Sequence, residues 1–393
     1  MSSVLARGGR AGAAAAAGWA VFVVANAQRI DVVPFFNDLR AAYHVTYAAA
    51  GGLLSAYLLG YVLAQIPAGL AADNFPTRRV TLNGLLAVTL ASALFALTSR
   101  YWVAVLMRFL MGVGAAMLYS STVKLTLGRA NSRGATMGLL QSGAGMGMVA
   151  GLFLMPLVAQ RAGIQTAFLS LSALTGVALV HAAACLPEGD PGMAPVEPLP
   201  RQVGEVAGQP QFVYLSSCVF LALFGAYGIA AWLPTYLRND FGFNVAAAGA
   251  VASVVNLGLI TASPLAGRLS DRLGTRVGVI LVGFGTLAGA FALLLLVHDP
   301  IGVALSAVLA GVGLALTLPI ITALTTEVFG IQRSGIAVSL NLAVGQVAST
   351  ISGVLFGYLL DTTGRFALLW AVALVIVIGG VVPALRLRRL VDR

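Results

Sequence analysis

Twelve long apolar stretches, each bounded by charged or turn-forming residues, constrain this chain more than any other feature. They fall near 12–34, 46–70, 79–99, 101–125, 134–158, 164–186, 211–237, 245–268, 277–297, 301–325, 335–359 and 366–385. Crossing a bilayer takes ~20 residues of helix. Helix is the spanning form open to such segments, because hydrocarbon offers no partner to bare backbone N–H and C=O groups. Composition agrees: AVILMFWYC residues make up 59% of the 393 and charged residues 9%, where a soluble domain carries about 25% charged. A soluble fold this apolar could not cover its own surface. The pattern predicts an all-α membrane protein of 12 transmembrane helices. It excludes secreted, disordered and soluble nucleic-acid-binding classes.

The formal net charge is +10, and every cation but Lys124 is an arginine. Counting Lys and Arg sets the orientation. With the N-terminus inside, sixteen cations, among them Arg7, Arg10, Arg78, Arg79, Lys124, Arg129 and Arg133, fall at the cytoplasmic side. Five, Arg40, Arg100, Arg161, Arg238 and Arg365, fall outside, while Arg29 and Arg108 lie within spans. Both termini are therefore expected in the cytoplasm, and the chain in the plasma membrane, the inner membrane of a bacterium. Arg7 and Arg10 before an Ala-rich run, with Ala25-Asn26-Ala27 beyond, imitate a signal peptide. Cleavage there would remove a span that the internal repeat requires. Cys185 and Cys218 form neither a metal spacing nor a disulfide framework and read as small apolar residues.

The two halves match at a nearly constant offset. Pro34 pairs with Pro234 at 200 residues, Gly69 with Gly267 and Asp73 with Asp271 at 198, and Gly112-Val113-Gly114 with Gly311-Val312-Gly313 at 199. Arg133 with Arg333, Gln141 with Asn341 and Gly145 with Gly345 all pair at 200. The order of the series carries the argument, since any single match is cheap in so Gly-rich a chain. A duplicated six-span unit is the plan of a rocking transporter with its site between the halves. The expected organisation is a six-helix bundle at 1–186, a cytoplasmic linker at 187–210, and a second bundle at 211–393. Pro187, Pro191, Pro195, Pro198 and mixed charge argue against helix in the linker.

The same residues carry a family resemblance. Gly267-Arg268-Leu269-Ser270-Asp271-Arg272-Leu273-Gly274-Thr275-Arg276 resembles the cytoplasmic loop signature of the major facilitator superfamily. Gly69-Leu70-Ala71-Ala72-Asp73-Asn74-Phe75-Pro76-Thr77-Arg78-Arg79 is similar to a degraded copy, with Pro76 where the family has Gly. Arg108-Phe109-Leu110-Met111-Gly112-Val113-Gly114 resembles the family's fourth-span motif. The resemblance implies two pseudo-symmetric six-helix bundles and a cytoplasmic latch made by Gly69, Asp73, Arg133, Gly267, Asp271, Arg272 and Arg333. Read physically, Gly69 and Gly267 would let their helices approach a neighbour closely. Asp73 and Asp271 would pair with Arg or face a helix N-terminus.

Ionisable groups inside spans cost about 2.5–3.5 kcal/mol on insertion scales and mark function by default. Arg29 is the clearest case. Asn26 at i−3 shares its face, whereas Asp31 at i+2 points away. The cation is offered to a central cavity, to a distant carboxylate, or to outer headgroups. Its position resembles the first-span Arg of organic-anion and organophosphate members of the superfamily, and Ile229 is its repeat partner. Lys124 and Glu327, at similar depth on spans 4 and 10, are candidate gate partners, though each could snorkel to water. Asp31 and Arg108 are candidate coupling residues, Arg108 by resemblance to drug antiporters, with a structural pairing as the alternative. Among uncharged groups, Tyr57, Tyr61, Gln141, Tyr227, Asn256 and Asn341 are candidate substrate ligands. For the amides the alternative is interhelical hydrogen bonding, and for Tyr227 it is packing.

No nucleophile–base order and no phosphate-cradling GxxxxGK[ST] occurs, so enzymatic and ATP-driven functions are disfavoured and no cofactor or metal is expected. The leading expectation is a monomeric secondary transporter, in contact with membrane lipids, moving a small organic anion with protons by alternating access. Proton-driven drug efflux is the alternative, and a transport-inactive sensor a remote one.

Overall fold

Backbone groups that hydrocarbon cannot satisfy force each apolar stretch to close its own hydrogen bonds, and the structure, a computed structural model, is helical almost throughout. It describes residues 2–128, 132–188 and 199–391. The side chains of 2–11, 73, 133, 134, 199–202, 331, 332 and 391 lie outside that description. The expectations placed on Asp73 and on Arg133 therefore fall outside the described side chains. Among the described residues, twelve helices are long and apolar enough to cross a membrane, from Gly12–Tyr43 to Phe366–Leu390.

Contacts divide the chain into two units, Met1–Val45 with Gly52–Ala194, and Thr46–Gly51 with Pro195–Arg393. The first unit holds α1 (Ser2–Ile30), a 3-10 turn (Val33–Phe35), α2 (Phe36–Tyr43), most of α3 (Tyr47–Asn74), α4 (Thr77–Leu97), α5 (Tyr101–Leu127), α6 (Arg133–Val149), α7 (Met155–Ala162) and α8 (Ile164–Cys185). A π-helical turn, Ala150–Leu154, joins α6 to α7. It sits just before Pro156, whose missing N–H leaves the carbonyl of Leu152 without its helical donor. The second unit holds α9 (Leu199–Ala207), α10 (Pro210–Phe241), α11 (Val245–Leu273), α12 (Arg276–Leu296), α13 (Pro300–Thr363), α14 (Phe366–Gly379) and α15 (Val381–Val391). At Gly330, with φ 69° and ψ 167°, α13 breaks into two spans, Pro300–Gly330 and Arg333–Thr363.

Helix α9 corrects the expectation of a wholly non-helical linker. Pro200 is its second residue, where the missing N–H is unpaired in any helix and costs nothing. Its Glu205 pairs with Arg333 at 2.7 Å.

The repeat shows in the closest backbone crossings. A Cβ on Gly60 would stand 2.1 Å from the carbonyl oxygen of Phe109, and one on Gly112 would stand 2.0 Å from that of Tyr57. Helices α3 and α5 therefore meet backbone to backbone, which side chains there would prevent. In the second unit Gly258 and Gly311 do the same, 2.4 Å from the oxygen of Val308 and 1.9 Å from that of Val255. The close approach expected at Gly69 and Gly267 falls at these glycines instead, because a Cβ at either expected position meets no described atom within 4 Å. In the Gly-rich fifth span, Gly143, Gly147 and Gly151 lie against Trp19, Val23 and Ala27 of α1, whereas Gly138 faces open space. Equivalent helix starts are capped alike, Thr46 Oγ1 accepting from the Ala49 N–H at 3.2 Å and Asn244 Oδ1 from the Ala247 N–H at 2.8 Å.

Candidate functional site

Three helices of the first unit bring its polar residues together. Arg29 stands one residue before the end of α1, and Arg108 lies within α5. Tyr57 and Tyr61 recur one turn apart on α3, so each ring serves one cation. The Arg29 guanidinium lies 4.7 Å from the Tyr61 ring centre, and that of Arg108 lies 4.9 Å from the Tyr57 ring. Such contacts reach about 2 kcal/mol when desolvated.

Arg108 is fully buried. Its Nη1 donates to Asp31 Oδ1 and to the Gln28 carbonyl, both at 2.9 Å. Nη2 donates to the Arg29 carbonyl at 3.3 Å, and Nε to the Leu53 carbonyl at 3.2 Å. Exposures of 0% and 1% for the two side chains make this a desolvated ion pair, which persists only where further hydrogen bonds satisfy the remaining donors. The structural pairing weighed for Arg108 is thus present. Asp31 turns away from Arg29, as i+2 spacing requires, and reaches α5 instead. Gln28, passed over in the sequence, is buried and donates through Nε2 to Thr175 Oγ1 at 3.0 Å. Tyr57 donates its hydroxyl proton to the Ala25 carbonyl at 3.1 Å. Asn26 bonds back to the Phe22 carbonyl at 2.9 Å. Arg29 itself is half-buried.

The other candidates distribute differently. Gln141 is exposed on α6. Asn341 is buried in the second unit, accepting from Ser216 Oγ at 2.5 Å and donating to Thr325 Oγ1 at 3.0 Å. That is the interhelical hydrogen bonding weighed against a ligand role. Tyr227 and Asn256 are buried on α10 and α11. Cys218 is buried and Cys185 half-buried, both as free thiols.

On the loop after α11, Arg276 is the hub. Its Nη1 donates to Asp271 Oδ1 at 2.7 Å and to Ser270 Oγ at 3.0 Å, while Nε and Nη2 both reach Glu327 Oε1, at 3.1 and 2.9 Å. The cation of this cluster is therefore Arg276, not Arg272, which is exposed. Spacing explains it: Arg276 opens α12 and turns back across the loop, while Arg272 still belongs to the end of α11. Glu327, expected opposite Lys124, is engaged by Arg276, and Lys124 is exposed near the end of α5. The first-unit counterpart, Arg78, donates to the Ala183 carbonyl and lies 3.5 Å from Glu188.

Repeated six-span units of apolar helix define a polytopic membrane protein. The sequence profile of the major facilitator superfamily matches residues 12–244 and 215–392, and the chain belongs to that superfamily. It is similar to the sodium-dependent phosphate transport protein 1 of the chloroplast of Arabidopsis thaliana, 25% identical over 308 residues, covering 71% of this chain and 60% of that protein. It is similar also to the gentisate transporter of Corynebacterium glutamicum, 25% identical over 374 residues, covering 91% and 83%. The chain spans about three fifths of the length of several curated relatives it matches. A bacterial homologue of the human lysosomal transporter Spinster shares the fold, with a TM-score of 0.79 at 14% identity over 97% of both chains.

Proposed function

We propose that the protein moves a small organic anion, a carboxylate, across the plasma membrane, coupled to protons and by alternating access, with Arg29 as the group that binds the anion. The observation that carries this reading is the half-buried Arg29 guanidinium held beside Tyr61 at the end of α1. A guanidinium stays charged at any accessible pH and presents a planar fork matched to a carboxylate. Relatives named for gentisate, phosphate and sulfoacetate support the anion class. Efflux of cations would need a carboxylate facing the substrate. Asp31 is 1% exposed and neutralised by Arg108, which counts against that reading.

The test is ligand-induced thermal stabilisation of the purified protein with gentisate, benzoate and inorganic phosphate, since a bound ligand stabilises by mass action. Arg29→Lys keeps the charge but loses the bidentate fork and weakens binding by about tenfold to a hundredfold, the worth of a charged hydrogen bond. Arg29→Ala abolishes it. Affinity unchanged in both variants removes Arg29 from the site.

A further inference from the structure

We infer that Arg108 and Asp31 are positioning residues for Arg29: the pair holds the last turn of α1 and so sets where the Arg29 guanidinium stands. The inference rests on the reading of Arg29 as the anion-binding group. A helix leaves its final carbonyls without internal donors and carries a partial negative charge at that end. In α1 two of those carbonyls belong to Gln28 and Arg29, and both accept from Arg108. A cation from α5 thus caps a helix to which it is not connected, and its Nε ties the same point to Leu53 of α3.

Asp31, the first residue past the helix, completes the arrangement. Its carboxylate fixes Nη1 at 2.9 Å and balances the charge that capping brings into the apolar interior. Tyr57 supports the assembly from α3, its ring against Arg108 and its hydroxyl on the Ala25 carbonyl, one turn before Arg29. The next turn of α3 carries Tyr61 against Arg29 itself. An ion pair serving buried charge balance alone would need the Asp31 contact. The two carbonyl contacts at the root of Arg29 are what that simpler role leaves unexplained.

Lysine separates the two roles. It can still face Asp31, but a single ammonium lacks the rigid fork that reaches three carbonyls and a carboxylate at once. The experiment uses full-length protein carrying Cys185→Ser, so that Cys218, 0% exposed, is the remaining native thiol. Arg29→Cys then reports the placement of residue 29 through its rate of reaction with 2-sulfonatoethyl methanethiosulfonate. This readout involves no substrate, so it succeeds or fails independently of the anion reading, which the Arg29→Lys binding measurement addresses. Adding Arg108→Lys is expected to change the rate severalfold, because the shell that supports the site has loosened. Adding Tyr57→Phe, which removes one hydroxyl and keeps the ring, is expected to change it in the same direction and by less. Should Arg108→Lys fail to fold, Tyr57→Phe carries the test alone. Rates unchanged in the folded variants, even with a lowered melting temperature, overturn the inference and leave the pair a structural one.

Discussion

The two halves of this chain share a backbone plan and differ in what they bury. In the first, Arg108, Asp31, Gln28 and Tyr57 form a charged and hydrogen-bonded core. At the repeat offsets of 198–200 residues the second half has Ala307, Ala231, Gly228 and Val255 in their places. It buries Ser216, Asn341 and Thr325 instead, where the first half has Ala16, Gln141 and Thr126. The crossing glycines are retained in both. Close backbone packing is thus the part of the duplication that persists, and polar content is the part that diverged. The backbone registers the divergence at the first span of each half. Helix α1 stops at Ile30, capped from α5, before Pro34, whereas α10 runs unbroken through Pro234 to Phe241.

The largest effect is expected where the halves differ most. Arg108→Ala leaves the Asp31 carboxylate buried without its cation and should cost about 3–5 kcal/mol, read as unfolding in detergent. Copying the second half with Arg108→Ala and Asp31→Ala together should recover a large share of that loss, because the buried charge disappears as a pair. A double variant no better than the single one would mean that capping α1, not charge balance, dominates the stability of this core.

The glycine crossings should behave alike. Gly112→Ala and Gly311→Ala each push a methyl group into a facing carbonyl, and each should cost about 1–3 kcal/mol as overpacking. A large difference between the two would break the equivalence of the crossings.

In the second half, Asn341→Leu strands the Ser216 hydroxyl and should cost about 1–2 kcal/mol. Thr325→Val strands the Asn341 Nδ2–H in turn and should cost about the same, Asn341 still holding Ser216. Smallest in stability is Arg276→Gln, worth less than about 1 kcal/mol because its partners Asp271 and Glu327 are well exposed. Its expected effect is on transport rate instead. A rate that falls no further than that of Arg78→Gln would deny the second-half loop a special role.

Much of this architecture was legible in the residues. Hydropathy marked the twelve spans because bilayer thickness leaves little choice of length, and the offset series marked the repeat. Arg29, Arg108 and Asp31 stood out because charge within a span is rare. Their partners were half legible: i+2 spacing turned Asp31 away from Arg29, but its meeting with Arg108 depends on how α5 crosses α1, and no local spacing encodes a crossing. Gln28 and Thr175 find each other across 147 positions for the same reason. Gly69 and Gly267 misled because a motif glycine looks the same in sequence whether or not a helix presses on it. Arg276 lay in the quoted loop signature, and a count of turns past Gly274 would have singled it out as the cation facing back.

Gly330 has a mechanical consequence. Spans 10 and 11 are joined without a loop, through one residue of positive φ followed directly by helix. A flexible connector absorbs misfit between the elements it joins, and a single left-handed residue stores no slack. Any change of angle between the two spans falls on the two backbone torsions of that glycine elbow, which no side chain hinders. Tags, protease sites or fluorescent inserts belong at other turns of the chain, because lengthening the elbow would uncouple its two arms.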